Sequence, residues 1–527
     1  MKARHAIGAA CLGALVGCGG APLPDAGFDA GSDAGVDAAG PRSGPMRSLV
    51  IALDGTRPDA LAAARTPHLD ALIAGTWRAD YHAAYTPLAQ NLYDAITVSG
   101  PNHATIMTGA TSSQHHVTDN DDVGDGDFET NRHYLRLLEE DDPGRNTAAL
   151  FTWAVDRVIT SGADFVSGDS DADNVDRVVG MLDGTFSGPR WPAGTDPDAI
   201  FLFLDDPDHA GHAFGFEPGV PEYVAELEDV DAQIGRILDA LGARPHLDEE
   251  RWLIVLTSDH GGFGTGHGGS RAVEHTIPFL VAGRDVSPGR LPSFTRNADV
   301  VPTVLTHHGV AVPAALTGTA RGSEVEAEGT LSPDLLRYHA FDGDLADAVG
   351  GAAGVASAGA TVGADGGRFG GFATLEPGAT IELPSLVVGD AFSVTLWTRA
   401  RSDGTLLGDL DGTGWAVGVD AATFGATYAS ATDRVEVAAL EPDGDAWHFV
   451  AAVYRDGALA TMYAGPAGGA LRAMAIDGRD LGALTSPSPV RVGPINGDVD
   501  DLAVWSRALT LDEVQRLFAA DAVGSLR

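Results

Sequence analysis

Five short, nearly unbroken apolar runs constrain this chain most: Ser48–Leu53, Ala148–Phe151, Ile200–Leu204, Trp252–Thr257 and Ile277–Ala282. A strand with one face in water alternates apolar and polar residues, so continuous runs of this length predict strands covered on both faces. Helical patterns lie between them. Glu222–Leu241 carries Leu227, Val230, Ile234, Ile237, Leu238 and Leu241 at helical spacing. Thr66-Pro67 ahead of Leu69, Leu72 and Ile73 reads as a helix opened by a threonine cap and a first-turn proline. The alternation from Arg47 to about Gly318 predicts an α/β domain with a doubly wound, mostly parallel sheet.

In such sheets, ligands bind beyond the carboxyl ends of the strands. Asp54, Asp208 and Asp259 each fall at or shortly after the end of an apolar run. Four ordered segments bring acids, histidines or a hydroxyl: Leu49–Asp54 (LVIALD), Ser99–His103 (SGPNH), Asp208–His212 (DHAGH) and Ser258–His267 (SDHGGFGTGH). Carboxylate oxygen and imidazole nitrogen are ligands that zinc accepts, and two neighbouring zincs can hold an attacking and a leaving oxygen together. The pattern predicts a metallohydrolase. A helical turn at Asp208–His212 would bring both side chains onto one face.

A chain of 527 residues is too long for one core, so two domains are expected. After a Glu-, Gly- and Ser-rich stretch around Arg321–Ser332, short alternating strands separated by Gly-rich turns predict an all-β sandwich: Phe392–Trp397, Trp415–Val419, Phe449–Tyr454 and Leu502–Trp505. The formal net charge of −41 argues against a nucleic-acid backbone as partner. At the start, Lys2 and Arg4 precede Ala6–Val16, an apolar stretch too short to span a bilayer. It ends in Leu15-Val16-Gly17-Cys18, which resembles the lipobox of bacterial lipoproteins. That resemblance implies a signal peptide over residues 1–17, lipid on Cys18, and attachment to a bacterial envelope membrane, periplasmic or at the outer surface, through the anchor alone. The other cysteine, Cys11, falls in the removed part, so no disulfide is expected. The repeats DAGF, DAGS, DAGV and DAAG of Asp25–Gly40 have too little apolar surface to fold, and predict a flexible tether over 18–46.

LVIALDG (Leu49–Gly55), TPHLDALIAGT (Thr66–Thr76), SGPNHATIMTG (Ser99–Gly109), HHVTDN (His115–Asn120), LDDPDHAGHAFG (Leu204–Gly215) and TSDHGG (Thr257–Gly262) together resemble the alkaline phosphatase superfamily, nearest its nucleotide pyrophosphatase/phosphodiesterase branch. The resemblance implies phosphate-ester hydrolysis by two Zn²⁺ ions or other divalent metals. It implies that Asp54, Asp259 and His260 hold one metal and Asp208, His212 and a downstream histidine the other. His267 is the choice for that histidine, with His275 as competitor. Ser99 aligns with a metal-activated nucleophile that forms a phosphoserine, with Thr97 as the fallback. Asn120 aligns with a donor to a phosphoryl oxygen. A sulfatase is an alternative, but His103 stands where its motif requires Arg. A non-catalytic surface binding lipoprotein is the second alternative. YHAFDGDLADAV (Tyr338–Val349), GRFGGFATL (Gly367–Leu375), WHFVAAVY (Trp447–Tyr454) and VDDLAVWSRAL (Val499–Leu509) resemble laminin-G or concanavalin-like jelly rolls, which implies a glycan ligand or a spacer. The expected layout is a catalytic domain over 47–320, a linker over 321–335 and a jelly roll over 336–527. With no metal or nucleophile constellation after the linker, the jelly roll is expected to be dispensable for chemistry.

Overall fold

The computed structural model describes residues 44–519 apart from 92–95, 154–155, 270, 292–294, 324–333, 350, 385, 387, 412, 421–422, 431–433, 439–444, 456–458, 477–480, 482–483 and 485–489. Cys18, the signal segment, nearly all of the tether and most of the linker lie outside the described residues.

The first sheet has eight strands: β1 (Met46–Leu53), β2 (His82–Gln90), β3 (Thr147–Phe151), β4 (Phe165–Gly168), β5 (Ala199–Leu204), β6 (Arg251–Ser258), β7 (Thr276–Gly283) and β8 (Gly289–Arg290), in the order β4-β3-β5-β1-β6-β7-β2-β8. From β4 to β6 every pairing is parallel, as the apolar runs predict. β7 runs antiparallel to both β6 and β2, so the sheet is mixed at this side. The reason for continuous runs is visible in the packing. Val50, Ala52, Phe201, Phe203 and Val255 enter one apolar cluster, and Leu49, Ile51, Leu53, Ile200, Leu202, Leu204, Ile254 and Leu256 enter another. Neighbouring residues alternate between faces, and both faces are covered by apolar side chains.

Pro221–Gly242 is a helix whose apolar stripe joins the second of these clusters. Pro67–Ile73 is also a helix, with Thr66 at its cap position, but the Thr66 hydroxyl makes no cap hydrogen bond. It donates to Asp70 instead, and the first amides of the helix, those of His68 and Leu69, donate to Asp231 of helix Pro221–Gly242. A distant carboxylate thus does the work expected of the local hydroxyl. The packed chain of this region continues through Arg321, whose buried guanidinium pairs with Asp299 at 2.6 Å.

The C-terminal part forms two antiparallel sheets. Its strands are β9 (Leu335–His339), β10 (Val355–Ala356), β11 (Ala360–Gly363), β12 (Phe372–Leu375), β13 (Ile381–Leu383), β14 (Phe392–Ala400), β15 (Gly404–Asp411), β16 (Thr413–Asp420), β17 (Thr423–Ala429), β18 (Arg434–Ala438), β19 (His448–Arg455), β20 (Leu459–Pro466), β21 (Arg472–Ile476), β22 (Val490–Val492) and β23 (Gly497–Trp505). One sheet runs β10-β13-β22-β15-β16-β17-β18 and the other β11-β12-β23-β14-β19-β20-β21, with β9 on β23. Phe392, Trp415, Tyr428 and Tyr454 meet in the core between them. This is the expected jelly-roll sandwich. Among the described residues no helix is long and apolar enough to cross a membrane.

Candidate metal centre

The four segments picked out in the sequence converge at the carboxyl ends of β1, β5 and β6. Asp54 follows β1 directly, and its amide donates to Leu204 O at the end of β5. Asp208 and His212 lie on helix Asp206–Phe214, so the i, i+4 spacing does place them together, with His212 Nε2 3.2 Å from Asp208 Oδ2. Buried Asp171 fixes the start of that helix by accepting the amides of Asp205 and Asp206. Asp259 and His260 leave β6 through a tight turn in which Asp259 Oδ1 accepts the amides of Gly55 and His260. Ser99 is the first residue of helix Ser99–Thr108, and its hydroxyl lies 3.3 Å from His260 Nε2.

Three imidazoles are held in one tautomer by the same device. His212 Nδ1 lies 2.9 Å from Thr265 O, His260 Nδ1 2.9 Å from Gly261 O, and His267 Nδ1 2.7 Å from Thr97 O. A carbonyl only accepts, so each Nδ1 carries the proton and each Nε2 presents a lone pair. His212 Nε2 and His267 Nε2 face each other at 3.0 Å, with Asp208 Oδ1 3.5 Å from the latter. Two lone pairs do not attract, so this arrangement suits a cation between them. Asp54 Oδ1, Asp208 Oδ1 and Asp259 Oδ2 are buried without a hydrogen-bond partner. The donor set Asp208, His212 and His267 is close enough to share one ion, as are Asp54, Asp208 and His260, and Asp54, His103 and Asp259.

Electrostatics agree with this geometry. Burial raises Asp54 well above the usual carboxylate range, and the charges of Asp259 and Asp208 add to it. Burial pushes Asp208 up to about 6 against the pull of His267 and His212. Burial acts upward on Asp259 as well, but His260 and the hydrogen bond from His103 outweigh it and hold this carboxyl below its ordinary range. Burial also lowers His260, and it pushes His267 down to about 4 with His260 adding to the effect. Crowded carboxylates and neutral imidazoles are what a divalent cation would relieve.

The remaining candidate residues fall in distinct places. Thr97, the fallback nucleophile, spends its hydroxyl as a clip: it donates to Gly269 O and accepts the amide of Gly268, which holds the His267 loop. His275 is buried against Asn91, with Nδ1 2.5 Å from Asn91 Oδ1, and is in none of the three ion-sized groups among the described residues. Asn120 accepts the amide of Gly100 through Oδ1 at 2.7 Å, directly beside Ser99. His209 points away, its side chain 64% exposed.

Sequence reasoning missed His103 and Asp156. Asp156 holds His103 Nδ1 at 3.0 Å, and His103 Nε2 lies 3.5 Å from Asp54 Oδ2 and 3.3 Å from Asp259 Oδ2. Burial works to lower this imidazole, but Asp156 with Asp259 and Asp54 raises it well above its ordinary value. The i, i+4 spacing of Ser99 and His103 was the one available signal.

Beneath the second cluster lies Phe216, fully buried, its ring centroid 5.6 Å from His212, 5.5 Å from Tyr223 and 6.1 Å from His267. Gly211 and Gly262 press against this ring with no room for a Cβ. Gly55 has φ +61°, and a Cβ there would lie 2.7 Å from Asp208 Oδ1.

The mixed α/β sheet thus carries neighbouring acid–imidazole clusters at its carboxyl edge, where such sheets bind ligands. Residues 48–274 match the model of the type I phosphodiesterase/nucleotide pyrophosphatase family. Residues 375–515 match the concanavalin A-like lectin/glucanase superfamily. The chain is 33% identical over 129 residues to the 2,3-bisphosphoglycerate-independent phosphoglycerate mutase of Clostridium perfringens, covering 23% of each protein. It is 33% identical over 130 residues to the phosphopentomutase of Edwardsiella ictaluri, covering 25% of this chain and 29% of that one. It thus spans well under half the length of these curated relatives. Among solved structures, murine ectonucleotide pyrophosphatase/phosphodiesterase 5 is similar with a TM-score of 0.40 and 16% identity, over 52% of this chain and 97% of that one. A 2-O GAG sulfatase is similar with a TM-score of 0.41 and 12% identity, over 82% of this chain and 85% of that one.

Proposed function

We propose that this chain is a two-metal hydrolase of phosphate esters that acts through Ser99. The observation that carries the reading is the set of three imidazoles whose Nδ1 protons are committed to backbone carbonyls, turning the Nε2 lone pairs of His212, His260 and His267 toward unpartnered carboxylate oxygens and, at His260, the Ser99 hydroxyl. Asp54, Ser99, Asp259 and His260 would hold one divalent ion and Asp208, His212 and His267 the other; zinc suits this mixture of oxygen and imidazole donors. Such ions supply positive charge that favours the serine alkoxide and neutralises phosphoryl oxygens.

The rest is done by the chain. Ser99 Oγ gives up its proton to solvent and bonds to phosphorus as the ester oxygen departs and takes a proton from solvent; water then adds to phosphorus, releasing phosphate and returning a proton to the Ser99 hydroxyl. Ser99 heads a ten-residue helix, whose amino end favours an anion. With Asn120 Oδ1 tied to the Gly100 amide, its Nδ2 is the group available to donate to a phosphoryl oxygen, where it would stabilise developing charge. The lipobox-like segment supports display as a lipoprotein anchored through Cys18 in a bacterial envelope, and the lectin-containing family of the sandwich supports a glycan ligand there.

The test combines elemental analysis with turnover of p-nitrophenyl phosphate, bis-p-nitrophenyl phosphate and p-nitrophenyl sulfate. About two equivalents of zinc are expected, with cleavage of a phosphate ester and acid-stable phosphate on the peptide containing Ser99-Gly100-Pro101. Cleavage of the sulfate ester alone would make the protein a sulfatase. Metal without turnover of any of the three would leave a binding lipoprotein. Because the matching segments of the two relatives above come from mutases, transfer to added sugar alcohols is measured alongside release of phosphate.

A further inference from the structure

The sandwich does not hang free of the α/β domain. Its edge strand β21 lies against β2 and β7 and against the short helix Ala272–His275 that closes the metal-site loop. Three contacts define the junction. Arg472 Nη2 reaches Asp59 Oδ2 at 3.1 Å, with the two side chains 21% and 16% exposed. Thr276 donates its hydroxyl to Ala473 O at 2.8 Å. Leu88 of β2 is buried in an apolar cluster otherwise built by the sandwich, with Tyr338, Trp397, Phe449 and Tyr463.

Each polar contact leads toward the metal centre. Asp59 grips Arg57 through both carboxylate oxygens, at 2.9 and 2.7 Å, and Arg57 Nη1 donates to Gly262 O at 3.0 Å, two residues after His260. Burial alone would raise the Asp59 carboxyl, but its hydrogen bonds and charge contacts with Arg57 and Arg472 hold it below the usual range. At the other end, Thr276 directly follows His275 and Glu274. The Glu274 carboxylate accepts the amides of Gly269 and Arg271, and its carbonyl accepts the amide of Gly261. The loop carrying Asp259, His260 and His267 is therefore fastened near its start through Asp59 and Arg57 and at its end through Thr276. Both fastenings terminate on adjacent residues of one sandwich strand.

We propose that the sandwich is a working part of the metal centre, and that Arg472 is a positioning residue which, with Ala473 O, fixes the segment Asp259–Thr276. The inference rests on reading that segment as metal-bearing. It replaces the expectation that the sandwich is dispensable for chemistry.

The experiment uses full-length protein and compares Arg472→Gln, Arg472→Lys, Asp59→Asn and the pair Asp59→Asn/Arg472→Gln with a control, Arg491→Gln, which removes an Arg–Glu pair on the opposite sheet. Amide hydrogen exchange over residues 259–275 is read together with zinc affinity. Arg472→Gln and Asp59→Asn are each expected to speed exchange in that segment and to weaken zinc binding about tenfold, the usual scale for groups that orient metal ligands. Arg472→Lys should restore part of both, and the double variant should be no worse than the stronger single one. KM should move less than kcat, because the ester is not contacted. Exchange in 259–275 equal to that of the control in both single variants would overturn the inference. If the wild type cleaves no ester while Arg472→Gln still loosens the segment and weakens zinc binding, the proposed function falls and this inference stands. Normal cleavage with unchanged exchange has the opposite meaning.

Discussion

Replacing Asp208 by Asn separates the cost of the site from its use. Without metal at pH 8 the buried carboxylate is ionised although the folded protein holds it up near 6, against 3.8 for an unburied one. Ionising a carboxyl held up from 3.8 to about 6 costs the metal-free fold roughly 3 kcal/mol. The sign follows from proton binding. The folded state binds this proton more tightly than the unfolded state, so the stability present below 3.8 is lost as pH rises to about 6, above which the loss is complete. Asn can donate an amide N–H to the Nε2 lone pair of His212 or His267 and removes the charge, so the metal-free variant should be more stable than wild type by about 2 kcal/mol at pH 8. For a domain of this size that is roughly 4–8 °C in melting temperature, and the gap should fall to about half by pH 5 and close only near pH 3.8. With zinc present the order reverses, because ligand at about a thousand times its dissociation constant adds about 4 kcal/mol to wild type only. The assay is thermal unfolding by circular dichroism, in chelator and in zinc, at pH 5 and pH 8. A metal-free Asp208→Asn protein that melts below wild type at pH 8 would refute the reasoning, since the carboxylate would then be stabilising without a cation.

Three further outcomes follow from the same geometry. Ser99→Ala should fold and bind zinc but lose on the order of several kcal/mol of transition-state stabilisation in kcat/KM; an unaffected rate would make water the direct attacker. His267→Ala should empty one of two zinc sites by elemental analysis, whereas His275→Ala should leave two, and the converse would move the ligand by eight positions. Zinc affinity should hold from pH 8 to about 6 and then weaken by about tenfold per unit as Asp208 takes up its proton, with His267 joining only near 4; titration calorimetry across that range measures the slope.

What the sequence made legible was local or periodic. Apolar runs located the strands because both faces of the sheet are covered, and a helical turn put Asp208 beside His212 as the spacing required. The direction of β7 was not legible, since an apolar run reads the same in either sense. β2 escaped notice because HAAYTPLAQ mixes polar residues and a proline into an inner strand. The Asp156–His103 pair spans 53 positions and the Arg472–Asp59 pair 413, distances over which composition carries no signal. The carbonyl that orients His267, Thr97 O, is a backbone group, which no side-chain pattern records.

Phe216 has a consequence for how metal enters. Its uncharged ring is wedged against Gly211 and Gly262, while Asp208 packs on Gly55. The spacing of Asp208, His212 and His267 is therefore set by van der Waals contact and by the Nδ1 hydrogen bonds of the two imidazoles, not by the ion they would hold. Stripping the metal changes charge but not shape, so reloading should proceed as a simple bimolecular capture, first order in zinc, with water loss from the ion as its slow event and no folding phase.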